Sequence, residues 1–320
     1  MAKKRLMGCS FPVFIVVAVV FLLLFLVSLV TGPMGKNLLG LPDWLIVTKP
    51  HPELPAEVVF HLFGVPVTNS IIGTWVTIIF VGGFCFIATR KLTLIPGRKQ
   101  ALLESVVEAL LKFCESVAGE KNGRRFFPIV ATIFLFVAFN AWLSLLPGFG
   151  SIVVHTSEGE VHLLRGANTD VNTPLAVAFI SFFFVEIIGF STLGIGYGKK
   201  FINLGGLVQS GRFLIQGKVK AALSGLVLGG INVFVGLIEL VSELIRIVSL
   251  TIRLFGNMTA GEILLMVAVF LMPWLFALPF YGLELLVGFV QALIFASLTL
   301  IFLTMAVASH GEHEEESSSH

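Results

Sequence analysis

Apolar residues dominate four stretches of this chain, Phe11–Val30, Ile71–Thr89, Phe126–Leu146 and Pro174–Leu193. Each is close to the ~20 residues that carry a helix across a hydrocarbon core. A fifth stretch, Leu223–Phe270, runs for 48 residues without a proline. At about 1.5 Å per residue such a helix measures roughly 72 Å, more than twice the core thickness. It must tilt steeply or break, for instance at Gly229-Gly230. Pro273 and Pro279 follow, and a last apolar stretch ends at Ala308. The pattern predicts an all-α integral membrane protein of about six membrane helices, the last two forming a long, steeply tilted C-terminal hairpin.

Between the spans the pattern changes. Arg98–Glu120 is charged, with Leu102, Val106, Leu110 and Leu111 recurring at helical spacing, as in an amphipathic helix at a membrane surface. The expected organisation is an N-terminal membrane helix over 1–31, a solvated loop over 32–69, a membrane domain over 70–308 and an acidic disordered tail over 309–320. MAKKR could open a signal peptide, but the apolar stretch after it is long for one and no A-x-A site follows, so a retained helix is expected. The tail sets His310, His313 and His320 beside four glutamates, a composition that fits solvation better than a metal site.

Composition narrows the class further. With 56% apolar and 12% charged residues and a mean hydropathy of +0.98, no soluble domain has interior enough for this chain. A formal charge of +2 provides no field for nucleic acid. Cys9, Cys85 and Cys114 lack any metal-ligand or disulfide spacing. Sorting the Lys and Arg residues by loop leaves 16 on one side, 3 on the other and 2 inside the membrane. The positive-inside rule then places both termini in the cytoplasm and the 32–69 loop outside.

Charges at bilayer depth cost about 2.5–3.5 kcal/mol each on insertion scales, so each is a functional candidate. Seven occur: Glu186, Glu239, Glu243, Arg246, Arg253, Glu262 and Glu284. Internal pairing explains Glu239, Glu243 and Arg246 as well as function does. It explains Arg253 poorly, since no acidic residue lies within four positions. At about 100° per residue, Glu239, Glu243, Arg246 and Arg253 share an arc of roughly 80°, and Glu262 points about 180° from Arg253 and ~13 Å further along. Two polar regions, one inner and one outer, are thus divided by one arginine, as two half-channels would be. A transporter with a midplane site between broken helices would call for inverted repeats and varied polar groups. A purely structural membrane anchor would leave Arg253, Glu262 and Glu284 unexplained. No intramembrane histidine, nucleophile elbow, HExxH or P-loop competes.

The stretch Ser249–Leu265, SLTIRLFGNMTAGEILL, resembles the hallmark of subunit a of the F-type ATP synthase. RFFPIVATIFLFVAFN followed by LLPG, ANTDVNTPLAVA and FVQALIFASLTLIFLTMA also resemble that family, and together they extend the likeness over roughly Leu62 to Ala308. By this resemblance Arg253 is the essential stator arginine. Glu262 and Glu284 are the paired groups of the outer half-channel, with Asn257, Asp170 and Gln291 as further outer positions and Gln291 beside the arginine. Glu239, Ser242 and Arg246 match the cytoplasmic half-channel. Between Asn140 and Pro147 the chain is one residue longer than the common pattern, and Asn140 receives no role.

The resemblance implies a non-catalytic subunit that passes protons to and from the carboxylates of a rotating c-subunit ring, which the C-terminal hairpin faces. It needs no cofactor. Its implied partners are the c-ring, b-type peripheral stalk subunits, the catalytic F1 sector and membrane lipid. The setting is a multi-pass position in a bacterial inner membrane.

Overall fold

A computed structural model describes residues 5–6, 9–31, 55–90, 92–93, 96–146, 148–156, 159–194, 197–198, 201, 210–211, 213, 215–216, 219–271 and 277–308. Six long helices account for most of them: α1 (Phe11–Thr31), α2 (Asn69–Thr89), α3 (Arg98–Ser144), α4 (Asn172–Leu193), α5 (Val219–Leu271) and α6 (Ala277–Ala308). By length and composition α2, α3, α4 and α6 can each cross a membrane. Large apolar side chains such as Ile79, Phe86, Ile87, Phe183, Ile245 and Ile252 are exposed, as suits helices whose solvent is lipid rather than water. The molecule is an all-α integral membrane protein.

One helix boundary follows directly from local chemistry. The α3 segment contains two helices merged across Gly119, whose φ of 78° and ψ of 162° break the helical path. Only glycine takes such a backbone conformation without strain. The amphipathic segment therefore ends at Ala118, and the apolar span starts afresh. The two pieces fold closely: a Cβ on Gly123 would come within 2.6 Å of the Glu115 backbone. Arg124 pairs with Glu115 at 2.8 Å across the bend and with Glu120 at 3.0 Å on its own side of it.

α5 shows no break at Gly229-Gly230 and is helical over 53 residues, about 80 Å of helix. Neither glycine has positive φ. The break that so long a segment allowed at Gly229-Gly230 does not occur.

Short antiparallel hairpins precede α1, within the segment expected as a helix, and fill two of the connections. β1 (Arg5–Leu6) pairs β2 (Cys9–Ser10), β3 (Val58–Leu62) pairs β4 (Val65–Thr68), and β5 (Val153–Thr156) pairs β6 (Gly159–His162). The β3–β4 turn uses Phe63 at φ 51° and Gly64 at φ 83°. Two positive φ values are the signature of the tight two-residue turn that suits strand twist. Residues 32–54 of the expected loop and the 309–320 tail lie outside the described residues.

The chain forms two compact units. The first comprises 1–74, 140–170 and 256–290. Small residues set its packing: a Cβ on Gly288 would come within 2.8 Å of Ala141 Cβ, and one on Gly73 would strike the Arg165 carbonyl. Trp142 Nε1 donates to the Leu285 carbonyl at 3.2 Å, and its ring stacks on Phe289. The second unit comprises 75–139, 171–255 and 291–320. Phe126, Val130, Phe295, Leu300 and Leu303 form its buried centre. Phe80 and Phe84 tilt against Phe139, and the Ser181 and Thr299 hydroxyls pair at 2.8 Å.

Candidate functional site

The first unit encloses a cavity of about 660 Å³ lined by polar residues from every segment of that unit that follows α1, among them Glu57, Asn140, Arg165, Asn168, Glu262 and Glu284. Glu262 and Glu284 reach it because α5 and α6 meet at a glycine. A Cβ on Gly261 would collide with the Glu284 carboxyl, so that carboxyl lies against the α5 backbone one residue before Glu262. Glu284 is buried and Glu262 half-exposed. The two acidic groups expected to act together line one space.

The cation in that space is Arg165, which the sequence pattern marks only as a loop charge. Its side chain is 11% exposed and lies 3.6 Å from Glu262 Oε2. It also donates to Thr169 Oγ1 at 3.1 Å and to the Pro55 carbonyl at 3.0 Å. The 3-10 turn Ala167–Thr169 places Asn168 beside it. The Asn168 backbone N–H donates to Asn140 Oδ1 at 3.2 Å, which draws Asn140 into the lining. Asp170 is tied to α2, accepting from Ser70 Oγ at 2.6 Å. Asp170 and Asn257 are not among the residues lining the cavity, and Asn257 is exposed on α5.

The second unit holds the other candidates. Arg253 is exposed on α5 beside exposed Ile252, and Gln291 on α6 is buried at 2% exposure. Among the described residues Arg253 has no ion-pair partner. Ser242 is exposed and Glu239 half-exposed on the same helix. The Arg246 guanidinium stacks over the Phe302 ring, 3.8 Å from its centre, a cation–π contact worth about 0.5–2 kcal/mol.

A cluster around Tyr197, which the sequence pattern did not single out, lies here as well. Tyr197 is buried over Gly189, where a Cβ would come within 2.6 Å of its ring, and its hydroxyl donates to Glu186 Oε1 at 3.3 Å. Burial, then the Glu186 and Glu243 carboxylates, raise the Tyr197 phenol well above its ordinary range. Glu186 thus has a protein partner, which its isolated place in the fourth apolar stretch did not reveal.

Residues 71–304 match the family model described as ATP synthase A chain. The chain belongs to that family. It is 33% identical over 245 residues to ATP synthase subunit a of Gloeobacter violaceus, covering 77% of this chain and 86% of the relative. It is 29% identical over 257 residues to the Moorella thermoacetica protein of the same name, covering 80% of this chain and 98% of that one. With the subunit a of a Sulfurihydrogenibium species it shares 33% identity over 227 residues, 71% of this chain and 90% of the relative. Membership of the A chain family ties this membrane protein to ATP synthesis and proton transport.

Among the cavity residues, Glu57, Arg165 and Asn168 escaped the sequence pattern. Each lies in a connection, where no helical period marks one side chain from its neighbours. The ANTDVNTPLAVA run that follows Gly166 and contains Asn168 is the nearest thing to a signal.

Proposed function

We propose that this chain is the proton-translocating stator subunit of the ATP synthase membrane sector. The observation that carries the reading is Arg253, a cation exposed on α5 with no acidic residue paired to it among the described residues. A charge held at membrane depth needs an anionic partner; no described residue supplies one, and in this reading it comes from outside the chain. A carboxylate of a c-subunit ring meets the requirement. Facing Arg253, such a carboxylate ionises and gives up its proton; turned to lipid, it must be neutral. Arginine suits the role because it stays charged where a lysine could lose its proton. It also repels free protons that would otherwise leak from one half-channel to the other.

In this reading the cavity with Glu262 and Glu284 belongs to the outer half-channel, with Asn257, Asp170 and Gln291 as further polar positions. Glu239, Ser242 and Arg246 belong to the cytoplasmic half-channel. Both termini are cytoplasmic, following the distribution of Lys and Arg. Each proton crossing 100 mV supplies about 2.3 kcal/mol, and the offset between the half-channels converts it into directed ring rotation. No bond is made or broken in this chain, and ATP forms on partner subunits of the F1 sector, held by b-type peripheral stalk subunits.

The test has two parts. The chain, solubilised in mild detergent, should co-purify with a ring of small two-helix subunits. Glu262→Gln and Glu284→Gln should each slow proton-driven ATP synthesis in vesicles while leaving that co-purification intact. Failure to capture a ring, or synthesis at the wild-type rate in both variants, would overturn the reading.

A further inference from the structure

The first unit contains an acidic residue for which neither the helix pattern nor the family motifs provide a task. Glu57 precedes the β3–β4 hairpin and lines the same cavity as Glu262 and Glu284. It is half-exposed, which gives it access to solution as well as to the cavity. Its position is built from three segments. The Asn69 backbone N–H donates to the Glu57 carbonyl at 3.0 Å. The His162 backbone N–H and the Asn69 side chain donate to Glu57 Oε2 at 3.2 and 3.4 Å. Arg165 then joins the hairpin to α5, holding the Pro55 carbonyl two residues before Glu57 and Glu262 together. Two acidic groups on different segments thereby share one wall.

A second, independent observation marks the cavity as wet. Asn168 is 1% exposed, and among the described residues neither its Nδ2 nor its Oδ1 has a hydrogen-bond partner; Asn69 Oδ1 is in the same condition. Buried amides are almost always hydrogen-bonded, and a polar space of this size admits water where such groups converge. Water bonded in chain between polar groups passes protons along.

We propose that Glu57 is the proton-collecting carboxylate at the mouth of this cavity. It takes a proton from a hydronium ion or a buffer acid of the outer solution and gives it to a cavity water. That water releases another of its protons to Glu262 or Glu284, and Glu57 returns to its carboxylate form. The other ionisable groups lining the cavity are Arg165, His162 and Tyr281. The proposal rests on the cavity's being the outer half-channel.

The experiment uses the whole synthase in vesicles, with a fixed driving force and varied pH on the proton-supply side. Rates are normalised to the amount of assembled complex. A collecting group matters most when protons are scarce. Glu57→Gln should therefore lower the rate at least about threefold near pH 8 and by much less near pH 6. Glu57→Asp should restore most of the loss. Imidazole added on the supply side should also restore it, by carrying protons to the cavity in place of the missing carboxylate. A wild-type rate for Glu57→Gln at every pH would overturn the proposal. Equal slowing at every pH, unrelieved by imidazole, would do the same, since that is the behaviour of a hairpin damaged only in its packing. Glu262→Gln, measured in parallel, separates the two readings. If it is slow while Glu57→Gln is not, only Glu57 leaves the path; if neither is slow, the cavity is not the outer half-channel.

Discussion

The Glu284 carboxyl lies against the α-carbon of Gly261, the residue that precedes Glu262 in the chain. The closeness of α5 and α6 in the first unit thus depends on a missing side chain. Where two acids from different helices line one cavity, a proton held by one can be released to the other through a short water path.

Gly261→Ala should disturb this arrangement without removing any polar group. The added methyl collides with the Glu284 carboxyl and displaces it. Since misplacement by about an ångström can cost on the order of 100-fold in rate, proton-driven ATP synthesis should fall at least about tenfold. Combining Gly261→Ala with Glu284→Asp, which shortens the displaced side chain, should recover part of the activity. Unchanged synthesis in Gly261→Ala would show that the contact has no bearing on proton transfer.

Arg253→Ala should abolish proton-driven synthesis and raise the passive proton permeability of vesicles containing the complex. Arg253→Lys should also fail to synthesise, with less leak, because a lysine ammonium retains charge for part of the time. Measuring both rates in one preparation checks the prediction. Synthesis at the wild-type level in the alanine variant is the contrary result.

Orientation is open to direct labelling. In a chain freed of its own cysteines, Ser319→Cys should react with a membrane-impermeant maleimide in inverted vesicles and not in intact cells. Reaction in intact cells would reverse the topology and exchange the assignments of the two half-channels.

Cys114 lies in the charged helix before the Gly119 break and is fully buried. Burial, and after it the Glu115 carboxylate, pushes its thiol up to about 11. Only the thiolate reacts with maleimides, so at pH 7.5 roughly 0.03% of the population is competent. Labelling of Cys114, followed by mass spectrometry, should be very slow at neutral pH and rise about tenfold per pH unit towards pH 10. Rapid labelling at pH 7.5 would mean that the packing of this helix against the start of the span, at Gly123, opens readily.

Much of the fold was legible in the sequence because membrane helices are written in long local runs. The spans over α2, α4 and α6, the amphipathic segment before Gly119, and the length of α5 all follow from residue type and spacing along one segment. Arg253 was legible for the same reason: a lone charge in an apolar run stands out without reference to any other part of the chain. Helical geometry likewise put Glu262 on the face opposite Arg253. The unbroken course of α5 through Gly229-Gly230 was not decided by the sequence, because glycine permits a break without requiring one.

The cavity wall is different in kind. Arg165 and the Pro55 carbonyl are 110 residues apart, Glu57 and the amide of His162 at the end of β6 are 105 apart, and none of the four lies in a long helix whose period would mark it. The close approach of Gly73 to the Arg165 carbonyl and the meeting of Gly261 with Glu284 are among the contacts that bring those groups to one space. Local pattern determines which residues share a face of one helix, since that is set by bonded geometry. Which loop residues meet is decided by steric fit between distant segments, and that exists only once the chain has folded.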